Sequence, residues 1–288
     1  MIPGTFDYHR PANLDEAVAL LGSLDSDARV IAGGHSLIPM MKLRLAAPSH
    51  LVDLAAIAEL KGIAVDGDEI VIGAMTTQHE VIASDLLAER APILKEAASQ
   101  IADPQVRYVG TIGGNVANGD PGNDMPALMM ALDARFTLRG PDGERSVAAR
   151  QYYHSPYETA AEPGEILTAI HFDAPPKGHG YAYEKLKRKV GDYATAAAAV
   201  ILTVSGGEIA TCSIALTNVG DTALFAEDAA KAVVGTALDK ASVAKAVAAA
   251  EAITSPAADG RGSAPYRAKM AGVMTLRALN RAFALANA

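Results

Sequence analysis

Two glycine pairs constrain most strongly what this chain can fold into. One stands in "AGGHS", residues 32–36, directly after the short apolar run "ARVI"; the other stands in "TIGGN", residues 111–115. Glycine lacks a Cβ and reaches positive φ, so such pairs mark sharp turns or places where another group approaches the backbone closely. Consecutive N–H groups exposed in a turn of this kind form a nest for an anion. Neither segment contains a lysine or arginine. An anion held there would rest on backbone amides, helped by the side chains of Ser36, Thr111 and Asn115. Each pair alone reads as a tight turn. Together, each with hydroxyl or amide side chains beside it, they read as two halves of a cradle for a diphosphate. His35, among the glycines, reads as a hydrogen-bonding residue that positions the loop rather than as a nucleophile.

The common nucleotide fingerprints do not fit. "GTIGGN" is not G-x-G-x-x-G, and G-x-x-x-x-G-K-[ST] does not occur. "GDPGND" has the look of a calcium loop, but counted from Asp120 its sixth residue is Met125 and its twelfth Ala131, where an EF-hand needs glycine and glutamate. The histidines are dispersed, without metal-ligand spacing, and the single cysteine, Cys212, excludes an intramolecular disulfide and a cysteine-held cluster. No metal is expected on this chain.

Charge and hydropathy narrow the class further. The 288 residues carry a formal net charge of -8, which a nucleic-acid backbone would repel. Half the residues are apolar, enough for a sizeable core, while tryptophan is absent. The opening "MIPGTFDYHRP" has no basic stretch leading into an apolar one, so no secretory signal is expected. The longest apolar run, "ATAAAAVILTV" at 194–204, falls well short of the ~20 residues of a membrane span. A soluble, cytoplasmic protein is the expectation.

Periodicity outlines the elements. Asn13 is the expected N-cap of a helix in "NLDEAVALLGSL"; "ARVIAGG" and "SHLVDL" read as strands joined by a loop, without a Rossmann unit. "EIVIGAMTT" reads as a strand, and His79 to Ile101 as helical with a break at Pro92. The glycine-rich segment 110–122 reads as loop, followed by a helix from about Met125. "RFTLRG" and "RSVAA" flank a "PDGE" turn, and "GEILTAIHF" is a further strand. "APPKGHG" at 174–180 is the expected domain boundary. Beyond it, Gly206-Gly207 turns a hairpin, and the alanine-rich end is helical. The fold class is α+β: sheet-containing lobes over about 1–55 and 56–177, then a smaller domain over 178–288.

The loop pair, with "GDPGNDMPAL" and "GYAYEKLKRKVGDYATAAAAV", resembles the FAD-binding medium subunits of the molybdenum hydroxylase (xanthine dehydrogenase) family, and the likeness runs along the whole chain. Within that family "GGHSLIPMMKLRL" is most similar to the carbon monoxide-oxidising branch. The resemblance implies a two-lobed FAD-binding domain of the vanillyl-alcohol oxidase type, then a C-terminal domain of antiparallel sheet plus helices. It implies non-covalent FAD. Ala32, Gly33, Gly34, His35 and Ser36, with Thr111, Ile112, Gly113, Gly114 and Asn115, would wrap the pyrophosphate and part of the ribityl chain. Asp124 would lie near the cofactor hydroxyls, Ile101 and Leu167 against flavin or adenine, and Lys185 near the flavin ring. Tyr193 would either shield one flavin face or be a buried strand tyrosine.

The same resemblance implies an electron-transfer role without a catalytic residue on this chain. Carbon monoxide would be oxidised to CO2 at a molybdenum-pterin site on a large subunit, and electrons would pass through [2Fe-2S] clusters of a small subunit to FAD here. A quinone-type acceptor would take them. A dimer of heterotrimers and loose association with the inner face of the cytoplasmic membrane are implied as well. Lys187, Arg188 and Lys189, in "KLKRK", form either a solvated strand face or a contact for an acidic partner subunit. Alternatives are the FAD subunit of a purine or N-heterocycle hydroxylase, a self-sufficient flavin oxidase of the same fold, and a non-enzymatic nucleotide-binding module.

Overall fold

A computed structural model describes residues 2–24 and 27–288 of the chain. Strands Asp7–His9, Ala28–Ile31 and His50–Asp53 form a parallel sheet with His50–Asp53 in the middle. The helix Leu14–Ser23 starts where its cap dictates: Asn13 Oδ1 accepts the Glu16 N–H at 2.9 Å, and Leu14, Ala17 and Val18 face the core. Between the second and third strands the expected loop is instead a six-residue helix, Leu37–Lys42. The connection is therefore a short parallel crossover. Pro39 lies in the first turn, where an N–H has no intrahelical partner, so the proline breaks nothing.

A five-stranded antiparallel sheet follows, in spatial order Ile63–Asp66, Glu69–Gly73, Ile166–Asp173, Arg135–Gly140 and Gly143–Ala148. The helical stretch that follows Glu69–Gly73 breaks twice, giving Gln78–Ala83, Asp85–Arg90 and Pro92–Ala98. Ser84 ends one helix and caps the next, and Pro92 opens the third at its first position, where proline is favoured. The glycine-rich segment is not all loop, because Ile112–Ala117 is a helix capped by Thr111. Packing overrides the low helix propensity of glycine here. A Cβ on Gly113 would lie 2.5 Å from that of Ala74, so only glycine lets this helix rest on the end of the sheet. The helix Asp124–Ala131 that follows is buried at every residue.

The last sheet runs Gly180–Leu186, Ala196–Ser205, Glu208–Thr217, Leu224–Phe225, antiparallel throughout. Gly206 and Gly207 turn its long hairpin at φ 62° and 85°, the pair of positive values a type I′ turn requires. The apolar run at 194–204 has a packing reason. Ala197 and Ala199 join a core with the helices Pro92–Ala98 and Asp124–Ala131. Ala198, Val200 and Leu202 join a second core with the helices Lys240–Ala252 and Ala264–Ala286. A strand buried on both faces reads as continuous apolar sequence. No described helix is long and apolar enough to cross a membrane.

Candidate functional site

A cavity of about 580 Å³ opens where the turn after Ile31, the segment 101–124 and the loop 185–193 meet. All of residues 32–36 line it, as do Ile101, Thr111, Gly114 and Asn115. Asp124, Lys185 and Tyr193 line it as well. Gly113 and Leu167 line a second space of about 190 Å³, which shares Ala32 and Gly114 with the first. Ile112 reaches neither; it is fully buried in the core.

The two glycine segments differ in what they offer. The N–H groups of Gly33, Gly34, His35 and Ser36 have no acceptor among the described residues. Gly34 holds the turn at φ 68°. By contrast, the amides of 112–115 are already bonded inside the chain. Ile112 donates to Thr76 O at 2.9 Å, Gly113 to Ala74 O at 2.9 Å, Gly114 to Thr111 Oγ1 at 3.0 Å and Asn115 to Thr111 O at 3.1 Å. The expected pair of amide nests is thus one nest, at 33–36. The second segment faces the cavity with side chains: the Thr111 hydroxyl keeps its proton to donate, and Asn115 keeps its amide nitrogen while its Oδ1 accepts the Met125 N–H at 3.2 Å.

Gly33 is a place where another part of the chain approaches the backbone closely. A Cβ there would stand 2.7 Å from Gly110 Cα and nearer still to Val109 O, so glycine lets the two segments touch. The His35 ring is exposed, and its Nδ1 lies 2.6 Å from Gly33 O. That contact requires Nδ1–H as donor, which ties the ring to its own turn.

In the cavity wall, Lys185 Nζ lies 2.8 Å from Asp124 Oδ2, with the two side chains 2% and 5% exposed. Tyr183 donates its hydroxyl to Asp124 Oδ1 at 2.5 Å. Burial, and then the Asp124 charge, hold that phenol well above its usual range. Burial and the neighbouring Lys185 charge pull Lys187 down. Tyr193 is in a loop and 42% exposed, so it is not a buried strand tyrosine. Desolvation of its hydroxyl, with Asp120 next, pushes it up to about 12.

Several cavity residues carry no functional signal in the sequence. Gln78 and Asn118 both line it, and their buried amide atoms (both of Gln78, Nδ2 of Asn118) have no partner among the described residues. Tyr157, held at φ 62°, donates to Asp120 Oδ2 at 3.2 Å at the rim. Asn123 donates from Nδ2 to Asn115 O at 2.8 Å. The capping pattern T-x-x-E in "TTQHE" was legible, but nothing marked its interior glutamine as facing a ligand. Free amides, orphaned carboxamides and a buried carboxylate beside one another fit a ligand with diphosphate oxygens, hydroxyls and polar ring edges, as FAD has. No cluster of three or more potential metal ligands occurs among the described residues.

Residues 4–175 match the family "FAD binding domain in molybdopterin dehydrogenase", and residues 181–282 match "CO dehydrogenase flavoprotein C-terminal domain". The carbon monoxide dehydrogenase medium chain of Afipia carboxidovorans is 66% identical over 286 residues, covering 99% of both chains. That of Hydrogenophaga pseudoflava is 52% identical over 284 residues, again covering 99% of both. A chain of the crystal structure of the Cu,Mo-CO dehydrogenase superposes with a TM-score of 0.98 at 66% identity, covering 99% of this chain and 100% of that one. The open amide turn at 33–36, the buried Asp124–Lys185 pair in the same cavity wall and these full-length matches lead to one assignment: the chain belongs to the FAD-binding medium subunits of the molybdenum hydroxylases.

Proposed function

We propose that this chain is the FAD-carrying subunit of an aerobic carbon monoxide dehydrogenase. The observation that carries the reading is identity of 66% to such a medium chain along 99% of both sequences. Bound FAD would supply the redox chemistry, taking electrons from one-electron clusters and passing them on in pairs. The chain's own residues hold the cofactor and shape its surroundings. The amides of 33–36 would receive the diphosphate, with Thr111 and Asn115 donating from the adjoining segment. The Asp124 carboxylate would accept from hydroxyls with the lone pairs that Tyr183 and Lys185 leave free. Tyr193 would cover one side of the flavin ring. FAD would be held without a covalent bond, His35 being engaged with Gly33 O. Residues 1–177 would form the FAD-binding part and 178–288 the C-terminal domain.

The partners would be a large molybdenum subunit and a small iron–sulfur subunit, assembled as a dimer of heterotrimers, with a quinone-type acceptor at the membrane surface. Carbon monoxide oxidation would occur on the large subunit, so the isolated chain would not turn over. Native purification tests all of this. Recovery with two partner chains, molybdenum and copper, and a flavin that acid precipitation releases into the supernatant, is the expected result. Recovery with a purine- or N-heterocycle-oxidising complex, or alone with oxidase activity, would overturn it.

A further inference from the structure

We infer that Gln78 binds FAD through its carboxamide, pairing with a part of the cofactor that presents a donor and an acceptor side by side. The inference rests on the FAD reading above. Gln78 lines the large cavity yet is only 2% exposed, and neither Nε2 nor Oε1 has a partner among the described residues. Buried polar side chains are nearly always hydrogen-bonded, so one left open at both ends points to a missing partner.

The backbone of Gln78 is held in place by its neighbours. Thr77 and Glu80 close a capping box around it, with Thr77 N–H donating to Glu80 Oε2 at 2.7 Å and Glu80 N–H to Thr77 Oγ1 at 3.2 Å. Its own N–H donates to Gly110 O at 2.9 Å. Gly110 is the residue that packs on Gly33. The carboxamide therefore starts from a fixed point beside the turn with the free amides. A residue so held makes its hydrogen bonds at little cost in ordering.

The chemistry of the missing partner follows from the two open atoms. Phosphate oxygens only accept at neutral pH and would leave Oε1 unpaired. Sugar and ribityl hydroxyls, the pyrimidine edge of the flavin and the amino edge of adenine each offer a donor together with an acceptor. Gln78 thus reads a hydroxyl or ring edge, while the 33–36 turn takes the diphosphate.

The test is FAD titration of the full-length chain freed of flavin, followed by flavin fluorescence. Gln78→Leu removes both polar atoms at similar volume and is expected to raise the Kd about tenfold. Gln78→Glu, which keeps an acceptor and loses the donor, is also expected to weaken binding. The flavin-free Gln78→Leu chain is expected to unfold at an unchanged or higher temperature, since an unpaired buried amide has gone. Titrations with riboflavin and with ADP identify the half that carries the edge, by which affinity falls. A Kd for Gln78→Leu within about twofold of the parent would overturn the inference. So would an equal loss of stability with and without FAD, which marks a purely structural glutamine. Failure of the parent chain to take up FAD would instead sink the reading beneath it.

Discussion

Lys185 and Asp124, 2.8 Å apart with side chains almost wholly buried, are a neutral pair and not two separate charges at the cavity wall. The sequence likeness assigns them separate tasks, one near the ring and one near the hydroxyls. Their contact makes the tasks interdependent. Asp124 can face a cofactor as a carboxylate because Lys185 and the Tyr183 hydroxyl offset its burial. An anionic diphosphate would meet no net positive charge from Lys185, so under the proposed reading its attraction would fall on the free amides of 33–36.

Removing one member should therefore cost more than removing both. Lys185→Met leaves a buried carboxylate without its counter-charge and is expected to lower the unfolding free energy by about 3–5 kcal/mol. The double variant Lys185→Met with Asp124→Leu should recover part of that, with Tyr183 falling back on Thr217 Oγ1, now 3.4 Å away. Urea unfolding of the flavin-free chains measures both. Equal losses for the single and double variants would contradict this account.

Gly33→Val should abolish FAD retention, but through the packing of two segments and not through a clash with the ligand alone. Its Cβ would drive the 32–36 turn off Val109 and Gly110, so the flavin-free chain should lose stability as well. Gly34→Ala meets a different penalty, about 1–2 kcal/mol for a non-glycine residue in the left-handed region at φ 68°. His35→Ala removes one hydrogen bond of an exposed ring and should only weaken FAD retention. Flavin content after gel filtration, beside thermal unfolding of each flavin-free variant, separates the three.

What the sequence disclosed about the site follows a physical division. Glycine pairs, a capping asparagine and turn residues act locally, so the turn at 32–36, the helix start at Asn13 and the hairpin at Gly206-Gly207 were legible. The helix Ile112–Ala117 was not, because its glycines serve a contact with Ala74, far along the chain. Nor was Leu37–Lys42, too short for any period to emerge. The open carboxamide of Gln78 is invisible for the same reason: only the fold shows that no neighbour satisfies it.

Acid should loosen the joint between the strand Gly143–Ala148 and the turn before Ile166. Arg145 Nε donates to Glu165 Oε1 at 2.6 Å and Nη2 to Oε2 at 2.7 Å, holding the Glu165 carboxyl below its usual range. A depressed carboxyl stabilises the fold above its unfolded value of about 4.5, and the contribution is lost as pH falls through the folded value. Glu165→Gln is expected to cost about 1–2 kcal/mol at pH 7. That difference should shrink toward zero as pH drops below the ordinary glutamate range. Unfolding curves of parent and variant at pH 7 and in acid check it; a gap that persists in acid would rule the charged bond out as its source.

The residues of the basic segment at 187–189 differ in their contacts. Arg188 Nε donates to Asp192 Oδ2 at 3.0 Å and another of its nitrogens to Gly260 O at 3.1 Å. Asp192 in turn accepts the Tyr193 N–H at 2.9 Å and pairs with Arg261. Arg188 therefore braces the loop that brings Tyr193 to the cavity, whereas Lys189 is exposed. Arg188→Glu sets a carboxylate against Asp192 and should weaken FAD binding in the chain alone. Lys189→Glu should leave FAD affinity unchanged and loosen assembly with an acidic partner surface, more so at low salt, where charge contacts are least screened. FAD titration of each variant, paired with gel filtration of the reconstituted complex, distinguishes the roles. A complex that assembles normally with Lys189→Glu at low salt would remove the segment from the interface and leave it a brace for the Tyr193 loop.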